Sequence, residues 1–260
     1  MEKKHFELTA ETKVNVFGII LFRIKATVKT KNANVGDIGG WVEKIDNLSG
    51  NAWVSGNAEV SGDARVSGNA WVYGDARVYG NAEVSGDARV SGNAWVYGDA
   101  RVYGNAWVSG DARVSGDARV YGNAEVSGDA RVSGDARVYG DARVYGDARV
   151  SGNAWVSGDA WVSGDAWVYG DARVSGDAWV YGDARVSGDA DYCCFQSFGT
   201  VGRTTTVFRE KSGNIHIKCG CFDGDLEAFS KKVERTHGDR QHGKVYKAII
   251  EVIKLKFDIK

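Results

Sequence analysis

Residues 50–73 read GNAWVSGNAEVSGDARVSGNAWVY, which is four copies of one six-residue unit. The unit, Gly-(Asn/Asp)-Ala-(Trp/Arg/Glu)-Val-(Ser/Tyr), continues without a gap to Ser187 and occurs 23 times. Self-similarity at a fixed period indicates a repeat architecture, in which each unit becomes stable only when it stacks on its neighbours. The sequence therefore predicts a solenoid over about half of the chain.

Each unit predicts one short strand and one corner. Side chains alternate along a strand, so the Ala and Val of Ala-X-Val point to one side and X points to the other. The apolar Ala and Val are predicted to face the interior, and the Trp, Arg or Glu at X to face outward. Gly and Asn/Asp suit the corner, because Gly adopts positive φ and Asx side chains bond to turn backbone.

The spacing of Val and Ala in this unit resembles the left-handed parallel β-helix of hexapeptide-repeat proteins. That resemblance implies triangular coils of three units, or 18 residues, stacked ~4.8 Å apart. The 23 units then make roughly seven to eight coils. We expect a mainly β protein, in which this helix (residues 50–190) carries an N-terminal β cap (1–49) and a small α+β C-terminal domain (191–260).

The flanks predict their own elements. Val42, Leu48 and Val54 are six residues apart, so the cap leads into the phase of the repeat. In the C-terminal region, residues 204–209 and 215–219 are predicted strands, and Asp225 is the predicted N-cap of a helix. Residues 245–257 begin with helical spacing and end with strand-like alternation, and helix is expected for most of them.

Both flanks also contain distinctive segments: residues 21–26 (LFRIKA), 36–43 (GDIGGWVE), 219–224 (CGCFDG) and 236–239 (THGD). They resemble a family of hexapeptide-repeat proteins found in bacteriophages and prophages, and the resemblance spans nearly the whole chain. It implies a phage origin and a β-helical fold, and it implies no particular chemistry.

Composition indicates a cytoplasmic protein of a bacterial host. The chain has 35 Gly, 0 Pro and a formal net charge of −1, which favours ordered turns over a disordered Gly-rich chain. The first apolar run, residues 14–24, is too short to span a bilayer and has no plausible cleavage site, so we expect no membrane association. The 4 Cys are expected to be reduced thiols.

Catalysis on the coils is not expected. Hexapeptide acyltransferases resemble one another in a catalytic His beside the coils and, usually, in a loop that interrupts the repeat. This chain has neither feature, since His5, His216, His237 and His242 all lie outside the 23 uninterrupted units. A γ-class carbonic anhydrase also needs histidines on its coils to hold zinc. We expect no enzyme, no catalytic residue and no cofactor, with an acyltransferase as a lesser alternative.

Two groups in the C-terminal region are candidates for ligand binding. Turn amides and side chains at Gly199, Gly202, Arg203 and Thr204 could cradle a small anion, although an ordinary hairpin fits equally and the Walker pattern is missing. Weak candidates for metal ligands are Cys219, Cys221 and His237, whose spacing is not a standard zinc pattern. No metal is expected.

The 18-residue coil places five tryptophans on one face: Trp53, Trp71, Trp107, Trp161 and Trp179. Exposed aromatic strips mark interfaces, although aromatic residues can also stack into ladders along a solenoid. We expect a homo-oligomer, with a trimer first, because hexapeptide solenoids often form trimers, and a dimer second.

The coils carry 12 Arg against 16 Asp and 3 Glu, so nucleic acid is not an expected partner. Such an acidic surface could instead mimic a polyanion towards a basic host protein.

These patterns favour a non-enzymatic, phage-type solenoid scaffold. It is expected to self-associate and to bind a partner, most simply a host protein whose system it inhibits. The alternative is that the C-terminal domain binds or processes a small anionic ligand.

Overall fold

The computed structural model describes residues 4–188, 191–199 and 202–259, apart from the side chain of Arg203. Three longer strands come first: β1 (Phe6–Val14), β2 (Ile20–Ala26) and β3 (Ile38–Val42). A 3-10 turn at Ile45–Asn47 leads into β4 to β26. These 23 strands are the X and Val residues of successive units, from Trp53–Val54 to Arg185–Val186 at six-residue intervals.

Strands 18 residues apart pair in parallel, as in Trp53↔Trp71, Glu59↔Arg77 and Arg65↔Glu83. The pairing produces three sheets, which we call faces. Face one has 8 strands, from Trp53–Val54 to Trp179–Val180, and face three has 7, from Arg65–Val66 to Arg173–Val174. Face two runs from Glu59–Val60 to Arg185–Val186 and continues into β3, β2 and β1 as an 11-stranded sheet. The predicted parallel β-solenoid with 18-residue coils is confirmed.

The interior of the solenoid consists of Ala and Val columns. Every Ala and Val of the repeat from Ala52 to Val186 has a side-chain exposure of 0%, except Ala64 at 1%. Burying one Val side chain contributes about 1.5–3 kcal/mol, so the columns dominate the stability of the fold. The predicted inward orientation of Ala and Val is confirmed.

The corners need glycine for two reasons. Gly110 has φ +67°, a backbone conformation that side-chain-bearing residues rarely adopt. A Cβ added to Gly110 would also lie 2.9 Å from the backbone N of Gly128 in the next coil. Glycine therefore recurs at every sixth residue because both the turn and the coil spacing exclude a side chain.

The N-terminal cap extends face two. β1, β2 and β3 are antiparallel, and β3 joins the coils in parallel through Trp41↔Glu59. Leu48 forms a bridge to Val66, so the first coil has the predicted phase. Phe6, Ile24 and Leu48 close the apolar end at 2%, 0% and 0% exposure.

Trp53 differs from the other tryptophans of face one. Its exposure is 2%, because the cap covers it, and a Cβ on Gly39 would lie 2.8 Å from its ring. The prediction that Trp53 belongs to an exposed interface row is therefore wrong.

The C-terminal unit (residues 191–259) is an antiparallel sheet with two helices. Its strands are β27 (Tyr192–Phe198), β28 (Arg203–Arg209), β29 (Ile215–Cys219) and β30 (Phe222–Asp225). Its helices are α1 (Leu226–His237) and α2 (Gln241–Phe257).

One side of this sheet closes the solenoid, since Tyr192 and Phe208 belong to the apolar core of the coils. The other side, with Val207 and Ile217, packs against the helices.

Both helices follow local sequence signals. The Asp225 carboxylate accepts a hydrogen bond from the Ala228 amide at 2.7 Å, as expected of an N-cap. α2 stays helical to its end, because Ile253 and Phe257 share a buried face four residues apart while Leu255 is 82% exposed. The strand-like alternation in this segment was therefore a misleading signal. Neither helix in the described ranges has the length and hydrophobicity needed to cross a bilayer.

Candidate functional site

Tryptophans of faces two and three lie between arginines of neighbouring coils. Arg77 and Arg113 lie 5.1 and 5.4 Å from the ring centroid of Trp95. Trp167 is flanked in the same way by Arg149 and Arg185, each at 4.7 Å. Trp155 also has an arginine on each side. These rings are covered by guanidinium groups, which is the ladder arrangement.

Face one is different towards its C-terminal end. Trp161 and Trp179 stack on each other with a centroid distance of 4.9 Å and an interplanar angle of 1°. Trp179 is 41% exposed, and Trp107, further along the same face, is 40% exposed. Trp71 and Trp161 are half-buried. Four of the five predicted interface tryptophans thus reach the surface of one face, and their role in an interface stays a prediction.

Trp179 lies between two hollows where face one meets the C-terminal sheet. The first holds about 200 Å³ and is lined by Asp177, Trp179, Thr204, Thr206, Lys218 and Gly220. The second holds about 180 Å³ and is lined by Tyr145, Trp161, Ser163, Trp179, Tyr181 and Lys218. We call the two hollows together the junction groove. Trp179 and Lys218 belong to both.

Strand alternation brings the polar side chains into this groove. Thr206 on β28 accepts a hydrogen bond from the Trp179 amide at 3.2 Å, and Thr204 donates one to Asp177 Oδ2 at 3.4 Å. On β29, Ile215 and Ile217 face the helices, so Lys218 lies on the side of the coils. The last coil and the C-terminal sheet therefore each supply one wall.

A charged network borders the groove. His216 contacts Glu210 through Nδ1 at 2.8 Å and Asp223 through Nε2 at 2.6 Å. Because ionised carboxylates only accept hydrogen bonds, this arrangement suits an imidazolium that donates from both nitrogens. Tyr181 also donates to Asp223, and Lys218 Nζ lies 3.3 Å from Asp223 Oδ2.

The network holds Asp223 ionised and Tyr181 neutral. Burial by itself raises the pKa of Asp223, but hydrogen bonds from Tyr181, His216 and Lys218 outweigh it, and the pKa is lowered. Burial, followed by the hydrogen bond and charge of Asp223, raises the pKa of Tyr181. These side chains are consequently committed to one another, and they fix the position of the C-terminal sheet on the last coil.

The predicted anion loop is divided between two sides of the sheet. Thr204 lines the junction groove, whereas a Cβ on Gly199 would lie 2.6 Å from the Tyr246 hydroxyl, beside the helices. Gly199 and Gly202 have φ values of +79° and +59°, as expected of a turn between β27 and β28. Residues 200–201 and the Arg203 side chain lie outside the described residues, so the role of Arg203 stays a prediction.

The weak metal candidates do share a cavity. Cys219, Cys221 and His237 line a hollow of about 280 Å³ under the helices. Within residues 4–188, 191–199 and 202–259, however, no three His, Cys, Asp or Glu side chains are arranged to hold a metal ion. Buried Cys219 accepts a hydrogen bond from Thr205 Oγ1 at 3.1 Å.

The cysteines are free thiols. Burial raises the pKa of the Cys193 thiol to about 11, so this thiol is neutral at pH 7.

Comparisons with known proteins agree on the repeat. A family model described as the YdcK β-solenoid repeat matches residues 58–74, 76–92, 82–98, 94–110, 112–128, 124–140, 130–146, 136–150, 142–158, 148–164 and 166–182. Together with the coils, these matches define a repeat β-solenoid protein. No curated protein sequence matches the chain.

A solved structure of a Bacillus cereus protein, proposed to be an acetyltransferase, is similar over 79% of this chain and 99% of that chain. Its sequence identity is 10% and its TM-score is 0.25. A likeness this distant carries no inference about the function of the present protein.

Sequence reasoning missed most of the junction groove. The alternation of Ile215, Ile217 and Cys219 with His216 and Lys218 does indicate a strand with one polar side. Nothing in the sequence shows that this polar side faces Trp179, because that contact depends on how the C-terminal sheet lies across the last coil.

Proposed function

We propose that the protein is a non-enzymatic solenoid scaffold that self-associates through face one and presents its C-terminal unit to a partner. The observation that carries this proposal is Trp107, which is 40% exposed on a flat, rigid face. Among the described residues, no arginine or lysine lies over its ring, unlike the rings of Trp95, Trp155 and Trp167. Large aromatic side chains left open in this way are energetically dominant at protein interfaces.

The assembly is proposed to be a trimer, with a dimer as the second choice. Its C-terminal unit, residues 191–260, is proposed to be a domain distinct from the coils (50–190) and the cap (1–49). The proposed partner is a host protein in the cytoplasm of a bacterial cell, with inhibition of a host system as the outcome. The resemblance of both flanks to phage proteins supports this part.

Two observations support a non-enzymatic role over the acyltransferase alternative. The coils between Gly50 and Ser187 contain no His. His216, the histidine nearest to the last coil, has both ring nitrogens engaged by carboxylates. The anion-binding alternative gains no support from the junction groove, where Asp177 and Asp223 stand beside one lysine.

Self-association is tested by light scattering on the full chain and on two variants. Trp107→Ser is expected to lower the mass of the assembly and to leave the β signal in circular dichroism unchanged. Trp167→Ser is the matched control, since Trp167 is 38% exposed but lies between two arginines on face two. A monomeric wild type at micromolar concentration, or an equal loss of mass in both variants, rules the proposal out.

A further inference from the structure

Trp179 is an aromatic platform that is already fixed in position. Its ring stacks on Trp161 at 4.9 Å, and its backbone amide is bonded to Thr206 at 3.2 Å. At the same time, 41% of the side chain is exposed. A ligand that binds a rigid, exposed ring does not have to order it, so less conformational entropy is lost on binding.

The hollows beside Trp179 fit small rings. Their volumes of about 200 and 180 Å³ fall below the ~300–1,000 Å³ that is usual for drug-sized ligands. Each hollow can therefore take one ring-sized group. Because Trp179 and Lys218 line both, a ligand of two linked rings could occupy them together.

The rim of the groove offers donors and acceptors in close alternation. Asp177 presents a carboxylate, Lys218 an ammonium, and Thr204 and Ser163 hydroxyl groups. An ionised carboxylate has about four acceptor sites, and Thr204 uses one of those on Asp177. A ligand whose groups both donate and accept, as hydroxyl groups do, is the best match to this mixture.

The charges of the groove disfavour an anion. Lys218 is paired with Asp223 at 3.3 Å, and Asp177 adds a second carboxylate within the first hollow. A flat nucleobase is also a poor fit, because Lys218 Nζ lies 5.7 Å from the centroid of the Trp179 ring and restricts stacking over its full width. The C–H face of a sugar is smaller and needs only part of the indole.

We propose that the junction groove is a binding site for a neutral saccharide of one or two rings. One ring stacks its C–H face on Trp179. Its hydroxyl groups donate to Asp177 and accept from Lys218. This site is independent of the proposed self-association, which is centred on Trp107 in a different part of face one.

The test is saturation-transfer difference NMR on the full chain, with glucose, galactose, mannose, N-acetylglucosamine, maltose, cellobiose, lactose and chitobiose as probes. Wild type is expected to transfer magnetisation to the ring C–H protons of at least one probe. Trp179→Ala and the nearly isosteric Asp177→Asn are each expected to weaken its binding about tenfold or more. Trp167→Ala, which removes an equally exposed tryptophan from face two, is expected to bind like wild type.

Three results would overturn the site. They are no transfer to any of the eight sugars, equal losses in Trp167→Ala and Trp179→Ala, and preferential binding of adenosine or inorganic phosphate in competition with the best sugar. Thermal unfolding of each variant verifies that the coils are intact. Light scattering on Asp177→Asn separates this site from self-association, because the assembly mass is expected to be that of wild type while sugar binding is lost.

Discussion

The two ends of the solenoid are closed in different ways. At the N-terminal end, β3 continues face two in register, and apolar side chains such as Phe6 and Ile24 seal the first coil. At the C-terminal end, a separate antiparallel sheet lies across the last coil, with Phe208 on its apolar side and a charged network at its edge. A continued sheet leaves a smooth surface, whereas a second sheet creates a crevice where the two meet.

This contrast explains where the candidate site lies. Stacked repeats repeat the same surface, so a hollow with mixed chemistry arises most easily where the repetition stops. Lys218 contributes a positive charge beside Trp179 that no unit of the repeat supplies at that place. The cap at the other end instead buries Trp53 and removes it from the surface.

The largest expected effect is on the interior that both ends share. Val120→Asp places an unpaired carboxylate against stacked Val columns, where Val120 has 0% exposure. We expect loss of the cooperative fold, seen as loss of the β signal and of a thermal transition in circular dichroism. Arg119→Ser, one residue earlier on the outward side, is expected to change stability by no more than about 0.5 kcal/mol. Equal behaviour of the two variants would contradict the inward and outward assignment.

The second prediction tests whether the ends are separate. Phe208→Ala is expected to destabilise the C-terminal closure by about 3–5 kcal/mol, and Ile24→Ala the N-terminal closure by about 2–5 kcal/mol. In a solenoid each coil contacts only its neighbours, so each loss should stay local. Hydrogen exchange measures this: Phe208→Ala should speed amide exchange near Arg185–Val186 and leave β2 and β3 unchanged, with the reverse for Ile24→Ala. Loosening of both ends by either variant would show one cooperative unit.

How much of this was predictable varies with the range of the contacts involved. The coil length, the three faces and the inward Ala and Val columns follow from the six-residue unit, because each depends on contacts 18 residues apart in a strictly periodic sequence. The N-cap at Asp225 was also predictable, since capping is local.

The candidate site and the burial of Trp53 were not predictable from the pattern. Both depend on a segment that folds back over the repeat, and no periodicity records where it lands. Trp179 was singled out for its place on face one, yet its neighbours Lys218 and Thr206 come from strands about 30 residues later whose docking is set by Phe208 and Tyr192. Thr204 was chosen as part of an anion loop and instead lines a groove with two carboxylates nearby.

The third prediction concerns the corners, which also differ along the solenoid. In the N-terminal coils, corner asparagines donate to the next coil, as Asn93 Nδ2 does to Asp111 Oδ1 at 3.0 Å. Further on, one corner carries five aspartates in succession: Asp111, Asp129, Asp147, Asp165 and Asp183. Carboxylates cannot donate to one another, and their like charges repel.

Asp147→Asn is therefore expected to stabilise the chain by about 0.5–1.5 kcal/mol, through a new hydrogen bond to Asp165 and one fewer negative charge. The matched reversal, Asn93→Asp, is expected to destabilise it by a similar amount. Denaturant unfolding measures both changes. High salt should reduce the difference, because these corners are exposed. A stabilising Asn93→Asp would contradict the role of the amide ladder.

The smallest effect is a difference in how the two ends respond to acid. At the N-terminal end, burial lowers the pKa of His5 below 6.5, although its ring nitrogen donates to Ala52 O at 2.6 Å. A group whose folded pKa is lowered binds more protons when unfolded, so its stabilisation is complete above pH 6.5 and declines as the pH falls. At the C-terminal end, Asp223 also has a lowered pKa, but from an ordinary value of 3.8, so its stabilisation declines only below that pH.

Amide exchange measured from pH 7 down to pH 3 should therefore show β1 and β2 loosening before β29 and β30. His5→Gln supplies the control, because its amide can still donate to Ala52 while it no longer titrates. In that variant the acid response of the N-terminal end should disappear, and the response of the C-terminal end should be unchanged. The exposed position of Asp223 makes its contribution small, since solvent screens it. If the C-terminal end loosened first, the charged network rather than the buried histidine would be the acid-sensitive closure, and the contrast between a dry and a charged end would be reversed.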